Sequence, residues 1–354
     1  MKFSHFSLNL NNFCNMSCIY CFYSKEKGEI SDEVIKQLPE FLSRYWPEQG
    51  KRELAFFGVE PMLSWDKLVK VTETVLSRFP RTVFGLTTNL TLMTPERARW
   101  LKAHGFYVNS SFDGLWQDRY RVFPDGSGSS ELCKRGLRYL KEAGDPLYIL
   151  CSMVPGEEPR FKDNVVWLYN TFKPRMIAMN KVVDSYDVEY DWDELERQFL
   201  SIAEWYAKLF ASDPSFCLQF IYKTAFYNAP RSSRSRWTCG ACWGSLGVDW
   251  DGRIYICHRA LGFPEFQVGD IWEGVDEEKV RWFRSQVGFW RCRYCPAHPC
   301  SGCYVINKLT TGDLLRPPEA YCRYEIIRWK AGLRFKQLYS KGNAHVGQIT
   351  NKYK

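Results

Sequence analysis

Cys14-Asn-Met-Ser-Cys18-Ile-Tyr-Cys21, a C-x3-C-x2-C run, stands directly after a strand predicted over residues 3–10. Three thiolates on so short a loop can hold three irons of a cubane iron–sulfur cluster and leave the fourth iron without a protein ligand. That open iron is a place where a small molecule can bind. A structural zinc site is the competing reading, but it needs four ligands, and no fourth Cys or His lies nearby in the chain.

Outward from this loop, alternating or apolar runs recur at 3–10, 52–57, 82–87, 106–112, 146–154 and 175–180, with amphipathic stretches near 31–45, 65–79, 95–103, 129–142 and 160–170. Switching between a period of two and a period near 3.6 reads as repeated βα units with a parallel sheet. Six such units predict an α/β fold, an open, partial (β/α)6 barrel whose ligands bind at the carboxyl ends of the strands. A long amphipathic helix is predicted over 190–212. An Arg/Ser-rich stretch at 231–236 comes next, and the composition then turns to Cys, Gly, Trp and Pro. The expected organisation is a core over 1–230 including linking helices, a small Cys-rich domain over 231–325, and a basic C-terminal helix or tail over 326–354.

The chain has 354 residues, 45% apolar and 16% aromatic, enough to fill the core of one large domain and a smaller module. It contains no apolar run of about 18 residues, and its first residues lack the pattern of a signal peptide, so a cytoplasmic protein with no membrane partner is expected. Fourteen cysteines in such a chain argue for metal or redox chemistry rather than disulfides. Cys133, Cys151 and Cys217 are isolated and read as ordinary buried cysteines. Of the net charge of +8, +7 lies between Arg323 and Lys354, where eight Lys or Arg face Glu325 alone. That segment reads as a solvated, partly helical terminus, or as a docking surface for an acidic peptide or nucleic acid, of which nucleic acid is the less expected partner.

The run CNMSCIYCFY resembles the signature of the radical SAM superfamily in its peptide-modifying branch. Three further stretches match in order and place. Phe57-Gly58-Val59-Glu60-Pro61 is similar to the GGEP motif, with Val59 in place of a Gly; Thr88-Asn89 resembles the TNG motif; Ser111-Phe112-Asp113-Gly114 resembles the SIDG motif. The residues from Gln117-Asp118 through Arg121 and on to Ser129 match the segment that lies beyond SIDG in that family. The resemblance implies that Cys14, Cys18 and Cys21 hold a [4Fe-4S] cluster. It further implies that Gly58, Glu60, Asn89, Ser111 and Arg135 bind S-adenosylmethionine (SAM), Glu60 at its amine and Arg135 at its carboxylate, and that Tyr23 lines the active site. Electrons would come from an external flavodoxin- or ferredoxin-like donor.

Eight more cysteines fall between 239 and 322: Cys239, Cys242-x9-Gly252-x4-Cys257, Cys292-x2-Cys295-x4-Cys300-x2-Cys303, and Cys322. Eight thiolates are what two fully ligated four-iron clusters need, although a pair of zinc knuckles would use the same C-x2-C pairs. This region resembles the SPASM extension of radical SAM peptide maturases and anaerobic sulfatase maturases, its last two spacings each one residue shorter. The resemblance implies one auxiliary cluster on Cys239, Cys242, Cys257 and Cys303 and a second on Cys292, Cys295, Cys300 and Cys322, three [4Fe-4S] clusters in all.

Fully ligated clusters leave no site for substrate, so their natural role is to accept an electron from an oxidised substrate radical. His258 stands where sulfatase maturases place an Asp, and Phe57 where they place a Gln; both departures set this chain apart from formylglycine formation. His258 has the intrinsic pKa of a proton acceptor, or it hydrogen-bonds a cluster sulfur.

The expected activity is radical modification of a peptide or protein, by cross-linking, thioether formation or side-chain oxidation. The alternatives are a small-molecule substrate, a redox-neutral peptide epimerase, and a zinc-stabilised binding protein. Only 13 residues precede Cys14, too few for a leader-gripping winged helix, so recognition is expected from the barrel, the 155–231 segment, the basic tail or a separate peptide-recognition protein.

Overall fold

The computed structural model describes residues 1–23, 25, 27–182, 189–226, 239–286, 292, 294–297, 300 and 302–342. The expected boundary at 230/231 and the end of the basic tail, with Lys352 and Lys354, lie outside them.

The alternating runs form strands and the amphipathic stretches form helices. In chain order the first elements are β1 (His5–Leu8), α1 (Asp32–Tyr45), β2 (Glu53–Phe56), α2 (Trp65–Arg78), β3 (Val83–Thr88), α3 (Pro95–Ala103), β4 (Phe106–Ser111), α4 (Gln117–Tyr120) and α5 (Ser130–Glu142). Next come β5 (Tyr148–Met153), α6 (Phe161–Phe172), β6 (Met176–Lys181), α7 (Trp192–Ser212), β7 (Cys217–Leu218) and α8 (Gln219–Phe226). The Cys-rich part contributes β8 (Ser245–Val248), β9 (Arg253–Tyr255), β10 (Gln267–Asp270), β11 (Gly274–Val275), α9 (Glu277–Ser285), α10 (Tyr304–Thr311) and α11 (Glu319–Gly342).

The helix starts are set locally. The Ser31 side chain accepts from Val34 N–H, Thr94 from Arg97 N–H with Pro95 next in the chain, and Asp191 from Glu194 N–H, so orphan donors of α1, α3 and α7 are satisfied by the residues that precede them. The inward face of α1 is Val34, Ile35, Leu38, Phe41 and Leu42, at the spacing that one helical stripe requires. In β4 and β5 burial alternates, placing Phe106 and Val108, then Ile149, Cys151 and Met153, in the core.

The chain divides into two compact units, neither of them continuous in sequence. The first is Met1–Phe112, Trp116–Leu147 and Cys239–Gln286; the second is Asp113–Leu115, Tyr148–Thr238 and Val287–Lys354. In the first unit β1, β2, β3 and β4 are parallel neighbours in that order, with register His5↔Glu53 and Glu53↔Val83. On the other side of β1 the sheet continues into the Cys-rich segment. β8 pairs parallel with β1, from His5↔Ser245 to Leu8↔Val248, and β9, β10 and β11 continue it antiparallel. Residues expected to form a separate module thus extend the sheet of the N-terminal strands.

In the second unit β5, β6 and β7 are parallel. There α11 packs along α7, and basic residues of its described part are engaged: Lys330 pairs with Glu196 at 2.7 Å and Arg334 with Glu204 at 2.6 Å. Exposed pairs of this kind contribute little stability, but they take up charge that a docking surface would display. The expected break at 325/326 falls inside this one continuous helix. Among the described residues no helix is long and apolar enough to cross a membrane.

Candidate active site

The cysteine loop leaves the carboxyl end of β1, as ligand loops of parallel sheets do. Its backbone is tied down by the segment around α4: Ser17 N–H donates to Val122 O at 2.7 Å, Ile19 N–H to Tyr120 O at 2.9 Å, and the Arg121 guanidinium lies over the Tyr20 ring at 5.3 Å. Donors also point at sulfur. Met16 N–H reaches Cys14 Sγ at 3.3 Å, and Asn89 Nδ2 reaches it at 3.7 Å. Such N–H···S contacts stabilise a thiolate and tune a cluster once bound. Burial nevertheless pushes the Cys14 thiol up to about 11, with Glu60 and Cys18 adding to the rise. Cys18 is half-buried and Cys21 exposed.

Of the expected motif residues, Asn89 meets this loop and Glu60 meets Asn89. Asn89 also donates to Asn15 Oδ1 at 2.9 Å, which links the end of β3 to the cysteine loop. Glu60, 1% exposed, closes the gap between the ends of β2 and β3: its carboxylate accepts from Met62 N–H at 3.0 Å, Thr88 Oγ1–H at 2.8 Å and Asn89 N–H at 2.7 Å. Burial raises its pKa to about 7 against the pull of those donors and of Arg121.

Gly58 permits a close approach, since a Cβ there would sit 1.8 Å from Asn9 Oδ1. Asn9 is buried, donates through Nδ2 to Asp249 Oδ1 at 2.9 Å, and keeps Oδ1 without a hydrogen-bond partner, an acceptor suited to an ammonium group. Ser111 ends β4 and is half-buried. Arg135 is exposed on α5; the cation whose field reaches Glu60 is Arg121. Sequence reasoning does not single out Asn9 or Arg121, because an Asn just after a strand and an Arg inside a matched stretch carry no signal of their own.

The role of Glu60 as a clasp leads to an expected result. Glu60→Ala leaves two buried backbone donors, Met62 N–H and Asn89 N–H, without their acceptor, at about 1–3 kcal/mol each. Thermal denaturation should show a loss of about 2–6 kcal/mol in addition to weaker SAM binding. A Glu60→Ala protein as stable as the parent would show that the carboxylate does not hold these loops together.

A second cluster of residues forms where the extended sheet brings Cys257 back toward β2. Gly247 on β8 allows this, since a Cβ there would stand 2.7 Å from Cys257 O. The His258 ring packs on Phe57 at 4.3 Å between centroids, Phe57 lies 6.4 Å from Tyr23, and the Arg259 guanidinium stands 5.2 Å over Phe22. The Tyr23 hydroxyl is buried without a hydrogen-bond partner, and burial drives its pKa well up. Burial holds the His258 imidazole neutral, its pKa down to about 3, with Arg259 adding to the effect.

Nearby, Ala241 N–H donates to Cys239 Sγ at 3.4 Å, the same two-residue pattern as at Cys14. Cys242 sits in the left-handed region at φ +60°, an uncommon place for a non-glycine residue and one that clusters at functional sites. Its carbonyl accepts from Arg284 Nε at 2.7 Å, and burial raises its thiol to about 12.

In the second unit Cys322 lies in the first turn of α11 and Cys303 precedes α10. Burial raises the Cys322 thiol to about 11, reinforced by Cys292 and Cys295; Cys300 is raised to about 12 by burial and by Glu325. Cys292, Cys295 and Cys322 therefore lie within one another's field, and Cys300 and Cys322 share Lys181 and Glu325 as charged neighbours. Among the described residues no three His, Cys, Asp or Glu side chains converge tightly enough to hold a single metal ion. Cys133 and Cys151 are buried and touch backbone oxygens, at Asn89 and Asp113, and Cys217 is half-buried.

Residues 8–165 match the family model described as the radical SAM superfamily. Over 72% of its length the chain is 22% identical to the radical SAM cyclopropyl synthase TigE of Paramaledivibacter caminithermalis, of which it covers 57%, so it spans little more than half of that relative. It is 29% identical to the AdoMet-dependent heme synthase of Nitratidesulfovibrio vulgaris over 88% of this chain and 90% of that protein. Among solved structures, native anSMEcpe with bound AdoMet and Cp18Cys peptide superposes with a TM-score of 0.79 at 19% identity, over 96% of this chain and 99% of that one. What the cysteine loop, the parallel strands and these matches define is a radical SAM domain. This chain carries the radical SAM domain in residues 8–165 and has the fold of the SPASM-type members related to peptide and sulfatase maturases.

Proposed function

We propose that the chain is a peptide- or protein-modifying radical SAM enzyme that oxidises its substrate, with three [4Fe-4S] clusters and SAM as cofactors. The observation that carries this reading is the pairing of β8 with β1. It stations Cys257 and His258 against Phe57 and Tyr23, beside the cysteine loop. An auxiliary cluster held in part by Cys257 would thereby stand at the wall of the site where a substrate radical would form. SAM held beside the cluster of Cys14, Cys18 and Cys21 would supply a 5′-deoxyadenosyl radical able to remove hydrogen from unactivated C–H bonds.

The chain's own residues hold and orient the reactants. Cys14, Cys18 and Cys21 would hold the first cluster. The unpartnered Asn9 Oδ1, the backbone at Gly58 and Glu60 suit the methionyl ammonium, and Asn89 braces Cys14. The methionyl carboxylate has Arg121 as its candidate partner, with Arg135 the alternative that sequence resemblance favours. Phe57, Tyr23 and Phe22 exclude water, and His258 is the candidate acceptor of the proton a substrate radical loses. Cys239, Cys242, Cys257 and Cys303, and Cys292, Cys295, Cys300 and Cys322, would hold the two acceptor clusters. The peptide bound to the structurally similar anSMEcpe supports a peptide substrate here. A flavodoxin- or ferredoxin-like donor would supply electrons, and a separate recognition protein is a candidate partner.

The test is anaerobic turnover with SAM, a low-potential reductant and short peptides encoded beside the gene. The expected result is 5′-deoxyadenosine formed together with a peptide lighter by two hydrogen atoms. A peptide of unchanged mass that takes up solvent deuterium would indicate epimerisation instead. The similarity to the heme synthase, over most of both chains, favours a small-molecule substrate as the second reading. Turnover of a tetrapyrrole with no change in any peptide would establish it.

A further inference from the structure

In the first unit a buried amide is held from one side and left open on the other. Asn9, the residue after β1, is only 2% exposed, and Asp249, the residue after β8, only 4%. The Asn9 side chain donates from Nδ2 to Asp249 Oδ1 at 2.9 Å, while its own Oδ1 has no hydrogen-bond partner. That oxygen lies against the turn after β2, where a Cβ on Gly58 would stand 1.8 Å from it. Asp249 Oδ1 also takes the Trp250 N–H at 2.9 Å, so the face it turns to Asn9 is that of an acceptor. An amide set against an acceptor must offer its NH2 group, and its oxygen is then fixed on the far side. Both residues are anchored through their backbones as well: Asp249 N–H donates to Arg253 O at 2.9 Å, and Asn9 N–H to Val248 O at 2.9 Å. A buried oxygen without a donor is costly, so one held in a fixed direction points to a ligand that donates there.

We propose that Asp249 is a positioning residue for SAM: by taking the Asn9 NH2 group it holds the Asn9 oxygen toward the Gly58 turn, as acceptor for an N–H of the methionyl amino group. The inference rests on the SAM-binding reading proposed above and adds to it a residue of the Cys-rich segment, 240 positions from Asn9. Asp249 touches neither SAM nor substrate. It acts through the orientation of Asn9, since an amide free to turn would spend part of its time presenting its own donors to the amino group. The SAM site thereby depends on the pairing of β8 with β1, which brings Asp249 to the end of the strand that carries Asn9.

The experiment is an anaerobic calorimetric titration of the reconstituted holoenzyme with SAM, and with the SAM analogue that has hydrogen in place of the amino group. Asn9→Leu should weaken SAM binding about tenfold, the loss of one buried hydrogen bond. Asp249→Leu should weaken it about five- to tenfold, and the double variant should bind no more weakly than Asn9→Leu alone, because Asp249 acts only through that amide. Asp249→Asn keeps an oxygen for both Asn9 and Trp250 and should stay within about twofold of the parent. Affinity for the analogue should stay within about twofold in every variant, since it lacks the group that Asn9 receives. Equal losses for SAM and the analogue, or losses that multiply in the double variant, would show a merely structural role and overturn the proposal. Should the analogue not bind the parent, the double variant decides; should Asp249→Leu not fold, Asp249→Ala replaces it in the same comparison. A parent holoenzyme that binds no SAM would remove the underlying reading, whereas SAM binding unmoved by Asp249→Leu removes only the positioning role.

Discussion

Protein with Cys14, Cys18 and Cys21 all replaced by alanine is expected to hold about eight irons instead of about twelve and to cleave no SAM. The reason is a division of labour in the ligand set. Cys14, on the loop after β1, is reached by the Asn89 side chain, and the Asn89 backbone N–H donates to Glu60. A cluster with a site free for SAM beside those residues therefore depends on that loop. The eight thiolates of the Cys-rich segments do not, so their irons should remain. Iron and sulfide analysis, with 5′-deoxyadenosine measured by chromatography, reads both numbers. An iron count unchanged by the triple substitution would refute the assignment of the loop.

Replacing Cys300 by alanine should separate two events that normally proceed together. SAM cleavage should persist, because Cys14, Cys18, Cys21 and the residues around Glu60 belong to the other compact unit and are untouched. Modified product should fall by at least about tenfold, because the substrate radical then lacks its electron acceptor and is quenched by returning hydrogen. The quantity to measure is 5′-deoxyadenosine formed per modified peptide, under strict anaerobiosis. Cys300 is a demanding choice because its thiol is buried, with Lys181, Glu325 and Arg328 as charged neighbours, so the variant must first be shown to fold. A folded Cys300→Ala protein that still makes product at the parent ratio would mean the module is structural and the reaction redox-neutral.

Much of the site is legible in the chain because its parts are local. Cysteine spacing within eight positions, a Gly beside a Glu at the end of a strand, and an Asn after the next strand each encode a turn whose geometry depends on its own neighbours. The placement of Arg121 against Arg135 is not legible in this way. Both are arginines near the same motif, and only the packed structure shows that one lies over Tyr20 of the cysteine loop, where its charge is felt at Glu60, and the other is exposed on α5.

The sequence by itself determined the βα alternation, the helix caps, the loop of three thiols and the presence of eight further cysteines, since period, capping chemistry and spacing act over a few residues. Only the tertiary structure decided that β8, four residues with nothing in their composition to name a partner, pairs with β1 more than two hundred positions earlier. That pairing is specified by backbone hydrogen bonds, which nearly every residue type can make, and by burial of Leu246 and Val248 beside Phe6 and Leu8. Asn9 is thereby joined to Asp249 and Phe57 to His258, so a Cys-rich region that reads as a separate domain becomes one wall of the site. The meeting of Lys181 with Glu325 has the same origin: two charges 144 positions apart are brought together by the packing of α11 in the second unit.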